Sequence, residues 1–283
     1  MSKRLAHVLE AKWRSDDVNT NLGRDFSSLN LDERILAGLS KAGYRIPSPV
    51  QLEAIPLCLT GDDVFVQGKA GTGKTLVFSI LALNAVLDAE DLQVLIIAPT
   101  REGAFEICNT ICAIGSEVED LKCECFIGGF SYADDIPKAR QCKIAVGTPG
   151  RMLHLIQDDK LELDTIHLFI IDDFDELLNK HLKPEVSEIF NTLPEKKQTV
   201  VTSLTCTDEV MELASEFLEH SFQAVFNENE LSLLGIVAMS SRTVSEHLKN
   251  LVKTPSEDCF LTLSMRRNKS SMRLSLLQII LLP

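Results

Sequence analysis

VFVQGKAGTGKT, Val64 to Thr75, opens on an apolar run, passes through three glycines and ends on a Lys-Thr pair. Gly68, Gly73, Lys74 and Thr75 stand in the G-x-x-x-x-G-K-[ST] arrangement. The run before it reads as a strand, and TLVFSILALNAVLDA after it reads as a helix, which is the context this motif requires. The loop Gly68, Lys69, Ala70, Gly71, Thr72 and Gly73 would wrap a phosphate chain with its backbone N–H groups, aided by the helix N-terminus. Lys74 would reach the terminal phosphates, and the Thr75 hydroxyl would ligate Mg2+. A glycine-rich turn that merely starts a helix is the competing reading, and the flanking strand and helix disfavour it.

LFIIDDFDELL, Leu168 to Leu178, supplies the matching acids. Four apolar residues run into Asp172, and a carboxylate at the end of a buried strand is costly unless a cation meets it. A protein with this phosphate loop uses such an acid to hold Mg2+. The next acid, Asp173, is placed to orient or deprotonate an attacking water.

From about Asp62 the chain alternates strand-like and helix-like segments. The strand candidates are DVFVQG, QVLIIAP, ECFIGG, KIAVGTP, LFIIDD and TVVTSL, each short, apolar and closed by Gly, Pro, Ser or Asp. The helical segments include EGAFEICNTICAIG and DEVMELASEFLEH. Near-continuous apolar strands alternating with helices predict a mainly parallel sheet covered on both faces, with ligands beyond the carboxyl ends of its strands. Upstream, SSLNLDERILAGLSKAGY predicts a capped helix with Leu31, Ile35, Leu36 and Leu39 inward, followed by a turn at RIPSPVQLEAIP. After about Phe226 the alternation fades. The expected organisation is an extension over 1–25, one α/β domain over 26–226 and a poorly determined tail over 227–283.

The chain has 283 residues, a net charge of −13 and eight cysteines. An acidic balance of that size argues against indiscriminate coating of nucleic acid, so any RNA contact needs a local basic groove. No secretory leader or bilayer-spanning run is expected, since the apolar run LSLLQIILLP is too short. Cys108, Cys112, Cys123 and Cys125 lack paired C-x2-C spacing, so buried free thiols in a reducing compartment are expected, and no zinc.

Further segments choose among nucleotide enzymes. GYRIPSPVQ (Gly43–Gln51), APTRE (Ala98–Glu102), the pair Gly128–Gly129, TPGR (Thr148–Arg151), DDFD (Asp172–Asp175) and SLT (Ser203–Thr205) follow one another in order. They resemble the Q motif and the motifs Ia, GG, Ib, II and III of the DEAD-box RNA helicases, and Phe26 resembles that family's isolated upstream aromatic. No N-K-x-D guanine-reading motif is present. The resemblance implies a first RecA-like domain with ATP and Mg2+ as ligands. Gln51 would select adenine, Tyr44 would pack against the base, Phe26 would join the nucleotide-binding residues, and the loop through Thr75 would hold the phosphates. It further implies RNA backbone binding by Pro99, Thr100, Arg101, Gly128, Gly129, Thr148, Pro149, Gly150 and Arg151. Asp175, Ser203 and Thr205 would couple nucleotide state to RNA binding. The segments SPVQLEAIPL, FIGG, KIAVGTPGR and LFIIDD are most similar to the family branch that serves the survival-of-motor-neuron complex. That branch implies subunits of that complex as partners, a setting in ribonucleoprotein assembly, and residence in cytoplasm and nucleus.

The family's catalytic Glu is Asp173 here. Losing one methylene withdraws the carboxylate by roughly 1 Å, and misplacement on that scale costs about a hundredfold in rate. Phe174 and Leu204 each stand where the family has alanine, which predicts crowding between motifs II and III and weakened coupling. No segment resembling the second RecA-like domain, with its H-R-x-G-R-x-x-R arginines, follows Phe226, so 1–283 alone is expected to hydrolyse ATP poorly. The alternatives are a non-catalytic ATP-binding scaffold of a ribonucleoprotein assembly complex, or a P-loop ATPase unrelated to RNA. PTRE and TPGR disfavour the last.

Overall fold

Each of the six apolar runs becomes a strand: β1 (Asp63–Gln67), β2 (Val94–Ile97), β3 (Cys123–Phe126), β4 (Ile144–Gly147), β5 (Leu168–Ile171) and β6 (Gln198–Ser203). The computed structural model describes residues 25–218, 220–225 and 237–240. The helices among them are α1 (Glu33–Ala42), α2 (Pro49–Cys58), α3 (Lys74–Val86), α4 (Arg101–Ile114), α5 (Tyr132–Ala139), α6 (Pro149–Gln157), α7 (Phe174–Asn179), α8 (Lys183–Thr192) and α9 (Asp208–Ala214). A 3-10 turn at Phe26–Leu29 precedes them. Two further strands, β7 (His220–Val225) and β8 (Val237–Ser240), complete one sheet in the order β3-β4-β2-β5-β6-β1-β7-β8. Every pairing is parallel except that of β7 with β8.

Successive side chains of a strand face opposite sides, and here both sides are covered. Val64, Val66, Val94, Ile96, Ile170 and Val200 join a core made with α1 to α4. Phe65, Leu95, Ile97, Phe169, Ile171 and Val201 join a second core made with α5 to α9. Two apolar layers explain why these strands read as continuous apolar runs rather than as alternating ones.

Three expectations need correction. The prolines of RIPSPVQLEAIP predict a turn, yet Pro49 to Cys58 is helix α2. Ser48 starts it: its hydroxyl accepts from Gln51 N, and the Gln51 side chain accepts from Ser48 N at 2.8 Å, a reciprocal cap. Pro49 then occupies the first turn, where its missing N–H costs nothing. Secondly, β7 had no counterpart among the expected strands, and no strand was expected for β8 within the tail read as poorly determined. Their pairing with β1 and with each other supplies what a mixed polar and apolar sequence does not signal. The expectations for 1–24 and for the rest of 227–283 lie outside the described residues.

Thirdly, Phe174 does not crowd the motifs. It is 1% exposed and points into the second core, edge-on to Phe217 at 5.7 Å, which in turn meets Phe190 at 5.2 Å. Phe190 reaches Phe169 of β5 at 5.9 Å, so a row of four rings ties α7 to the sheet. Phe174→Ala is therefore expected to destabilise the domain by about 3–5 kcal/mol. Urea unfolding of the two proteins measures this; an unchanged midpoint would show that the row of rings carries no stability.

Candidate functional site

The carboxyl ends of β1 to β6 share one edge of the sheet, and the loops leaving them carry nearly all the residues singled out from sequence. Beyond β1 the phosphate loop turns through Gly71 (φ +78°) and Gly73 (φ +92°), the left-handed region open to glycine. Gly73 begins α3 without a side-chain cap, so the first-turn N–H groups of a 13-residue helix face the loop. Lys74 is buried, and its Nζ donates to Gly68 O at 2.7 Å and Lys69 O at 3.2 Å. The ammonium is thus held inside the loop. Thr72 closes it by donating its hydroxyl to Lys69 O at 2.8 Å.

Asp172 follows β5 and is 7% exposed. Burial pushes its carboxyl up to about 7, and the neighbouring Asp173 carboxylate acts in the same direction. The Thr202 hydroxyl and the Lys74 charge oppose them. Thr202 Oγ1 donates to Asp172 Oδ1 at 2.6 Å and accepts from Asp173 N at 3.1 Å, so one side chain of β6 positions both acids. Asp173 takes a left-handed backbone (φ +45°), which aspartate tolerates better than most residues. Its carboxyl is raised by burial and by Asp175 and Glu176, against the pull of Lys74.

Tyr44, Ala70, Gly71, Gly73, Lys74, Thr75, Asp172, Asp173, Asp175 and Leu204 line one cleft of about 870 Å³. Its donors include the half-buried Thr75 hydroxyl and a carboxylate whose ionised form burial disfavours, and this set suits a hard dication such as Mg2+. Gln51 and Phe26 stand elsewhere. Gln51 is fully buried and joins α2 to the loop: its Nε2 donates to Gly73 O at 3.1 Å, and Ser48 Oγ donates to Thr72 O at 2.7 Å. Both ends of its amide already have protein partners, so here it shapes the loop rather than opening onto the cleft. Phe26 is 4% exposed in the first core, beneath α2.

Motifs II and III are hydrogen-bonded to each other despite the bulk of Phe174 and Leu204. Asp175 Oδ1 accepts from Leu204 N at 3.2 Å, and its Oδ2 accepts from Thr205 Oγ1 at 3.1 Å. Leu204 points outward, 43% exposed, so its bulk does not press on this link. Ser203 is placed differently from expectation: its buried hydroxyl has no partner among the described residues, while its carbonyl accepts from Gly68 N at 3.1 Å. It therefore joins β6 to the phosphate loop through the backbone.

The remaining loops leave β2, β3 and β4, which adjoin at the other end of the sheet. Thr100 caps α4 by accepting from Gly103 N at 2.9 Å, and Pro99 O accepts from Lys180 Nζ at 3.4 Å. Arg101 is exposed and has no carboxylate partner among the described residues. Its guanidinium lies over the glycine pair: a Cβ on Gly129 (φ +97°) would come within 3.0 Å of Nη1, and one on Gly128 within 3.2 Å of Nη2. Thr148 precedes α6 without making a capping bond, Pro149 fills the first turn, and Gly150 stands in open space. Arg151 is already engaged. It is paired with the buried Asp135 and also donates to Phe130 O at 2.9 Å, with its side chain 11% exposed. It braces α5 against α6, and Arg101 is the open cation of this group.

Sequence reasoning missed Thr202, Asp135 and Ser48. Ser48 alone carried a local signal, the cap spacing Ser48 to Gln51. Thr202→Val keeps the shape but removes the hydroxyl donor to Asp172 and the acceptor of Asp173 N–H. It is expected to cost about 1–3 kcal/mol, read from urea unfolding near neutral pH; equal stability would show that the two bonds contribute nothing net.

Residues 48–213 match the DEAD/DEAH box helicase family. Among curated relatives, the probable ATP-dependent RNA helicase DDX20 of Mus musculus is 40% identical over 238 residues, covering 83% of this chain and 29% of the mouse protein. The ATP-dependent RNA helicase eIF4A of Candida glabrata is 37% identical over 236 residues, covering 82% of this chain and 59% of its own. This chain thus spans less than two thirds of the length of either relative. A crystal structure of a DEAD box protein from the hyperthermophile Methanococcus jannaschii superposes with a TM-score of 0.67 at 30% identity, over 70% of this chain and 55% of that one. S. cerevisiae Dbp5, solved with Gle1 and IP6 bound, superposes with a TM-score of 0.67 at 26% identity, over 72% and 53% of the two chains. These structures share the RecA-like α/β arrangement described above. With the match running from the Ser48 cap into α9, and so through every strand whose carboxyl end carries the site, the chain belongs to the DEAD/DEAH box helicase family.

Proposed function

We propose that residues 26–226 are the first RecA-like lobe of an ATP-dependent RNA helicase, binding ATP with Mg2+ at one half of the sheet edge and an RNA backbone at the other. The single observation that carries this reading is the division of that edge. The loop holding Lys74 and the acids Asp172 and Asp173 leave β1 and β5, while Arg101, with no acid partner among the described residues, lies over Gly128–Gly129, leaves β2 and faces the loop after β3. In this reading the loop N–H groups and Lys74 bind the phosphates, and Thr75 with Asp172 would hold the metal. When bound, Mg2+ offsets phosphate charge. Asp173 orients the attacking water and takes its proton. Arg101, with Thr148 and the glycine backbone, grips phosphates without reading bases. The bonds from Asp175 to Leu204 and Thr205 relay the state of one half to the other.

The short acid Asp173 favours a slow enzyme, and it is also the one observation favouring a second reading, an ATP-binding scaffold without turnover. In either case we propose, from the resemblance of SPVQLEAIPL, FIGG, KIAVGTPGR and LFIIDD alone, a setting in ribonucleoprotein assembly, with subunits of the survival-of-motor-neuron complex as partners in cytoplasm and nucleus.

Two variants separate the half-sites. Lys74→Ala is expected to abolish binding of a fluorescent ATP analogue by the purified chain while leaving affinity for single-stranded RNA within about twofold. Arg101→Ala should do the reverse, weakening RNA binding about tenfold and lowering its salt dependence. RNA binding that ignores Arg101 would overturn the RNA assignment. Asp173→Glu should raise ATP hydrolysis by up to about a hundredfold if the site is a slow enzyme; no hydrolysis with either acid identifies the scaffold.

A further inference from the structure

The cysteines that looked unrelated along the chain meet in space. Cys108 and Cys112 are one helical turn apart on α4, so both sulfurs lie along one side of it, Cys108 buried and Cys112 exposed. Cys123 is the first residue of β3, the strand at the edge of the sheet, and is buried against that side of α4. Cys108 Sγ lies 3.6 Å from Cys123 Sγ, and all three sulfurs fall within 4.8 Å of one another. Cys125 follows two residues later on β3 and packs against the same core.

We propose that Cys108, Cys112 and Cys123 form a binding site for a soft divalent cation of the zinc type. Three sulfurs bound tetrahedrally at about 2.3 Å from one ion are about 3.8 Å apart, so closing this tripod needs only small side-chain movements. Thiolates are the ligands such an ion prefers. The exposed Cys112 marks the side from which the ion enters, and the solvent there supplies the fourth position. Binding breaks three S–H bonds, forms three metal–sulfur bonds and releases up to three protons to solvent, with no change of oxidation state. A disulfide would use only two of the three sulfurs and would need an external oxidant. The spacing C-x3-C-x10-C escapes the usual zinc signatures because the third ligand comes from a neighbouring strand rather than from a second knuckle.

The site also has a position in the fold. It lies between the helix that Arg101 begins and the strand that leads to Gly128–Gly129, so a bound ion cross-links the two elements that seat that arginine.

The test titrates the purified chain, kept reduced with a phosphine, with Cd2+ as a spectroscopic probe. A thiolate-to-cadmium charge-transfer band saturating at one equivalent, displaced by Zn2+, is expected. With the ion in hundredfold excess over its dissociation constant, Tm should rise by about 5 °C. Cys112 is exposed, so Cys112→Ser leaves the metal-free Tm unchanged while weakening Cd2+ binding at least about tenfold and shrinking the band. Cys206→Ser, an exposed cysteine elsewhere, should change neither. Absence of the band, or a band indifferent to Cys112→Ser, overturns the proposal. So does failure to take up the ion by a sample in which thiol titration shows Cys108, Cys112 and Cys123 all reduced.

Discussion

A carboxylate buried at the end of a parallel strand is the constraint around which the rest of this edge is arranged. Every residue of β5 is buried, and Asp172 follows directly at 7% exposure. An ion in such surroundings is tolerated only with hydrogen bonds and opposing charge close by. The neighbouring strand supplies the first through Thr202, and the helix after β1 supplies the second through Lys74. Those partners are available because the sheet runs β5-β6-β1. Moving β6 or β1 away from this place in the order would remove the Thr202 donor or the Lys74 charge from Asp172.

The same corner resolves how four consecutive residues serve different ends. Asp173 turns the chain through the left-handed region, and α7 starts immediately after it. That turn leaves Asp172 and Asp173 at the cleft, sends Phe174 into the aromatic row below, and returns Asp175 to the edge beside Leu204 and Thr205. A large ring where the family has alanine is therefore absorbed by packing. The connection between the acid motif and β6 stays intact, carried by a backbone N–H and the Thr205 hydroxyl rather than by Ser203.

What was legible in the sequence follows from this physics. Strands buried on both faces are continuous apolar runs, so β1 to β6 could be read directly, as could the loop and acid that their ends present. Helix α2 was hidden because Pro47, Pro49 and Pro56 signal a break, whereas the cap made by Ser48 and Gln51 starts a helix in spite of them. Strand β7 depends on pairing with β1, a partner some 150 residues earlier in the chain, and no local pattern carries that. Thr202, Asp135 and the Cys108–Cys123 meeting are likewise products of contacts between distant segments. The direction of Phe174 could not be read either, since a motif fixes residue type and spacing but not which core a side chain enters.

The charge balance bears on the half of the edge proposed to meet RNA. In a chain with a net charge of −13, several basic side chains pair with acids, as Arg34, Lys41, Lys122, Lys143, Lys180 and Lys183 do here. Arg151 does so too, held by Asp135 between α5 and α6. Arg101 meets no acid among the described residues: the surface beneath its guanidinium is a pair of glycines with no side chain to offer, one of them in a backbone conformation that disfavours any replacement. The two glycines thus do more than make a turn. They seat one cation at the sheet edge that no acid neutralises among the described residues, a positive point on an acidic protein of the kind the proposed phosphate contact needs.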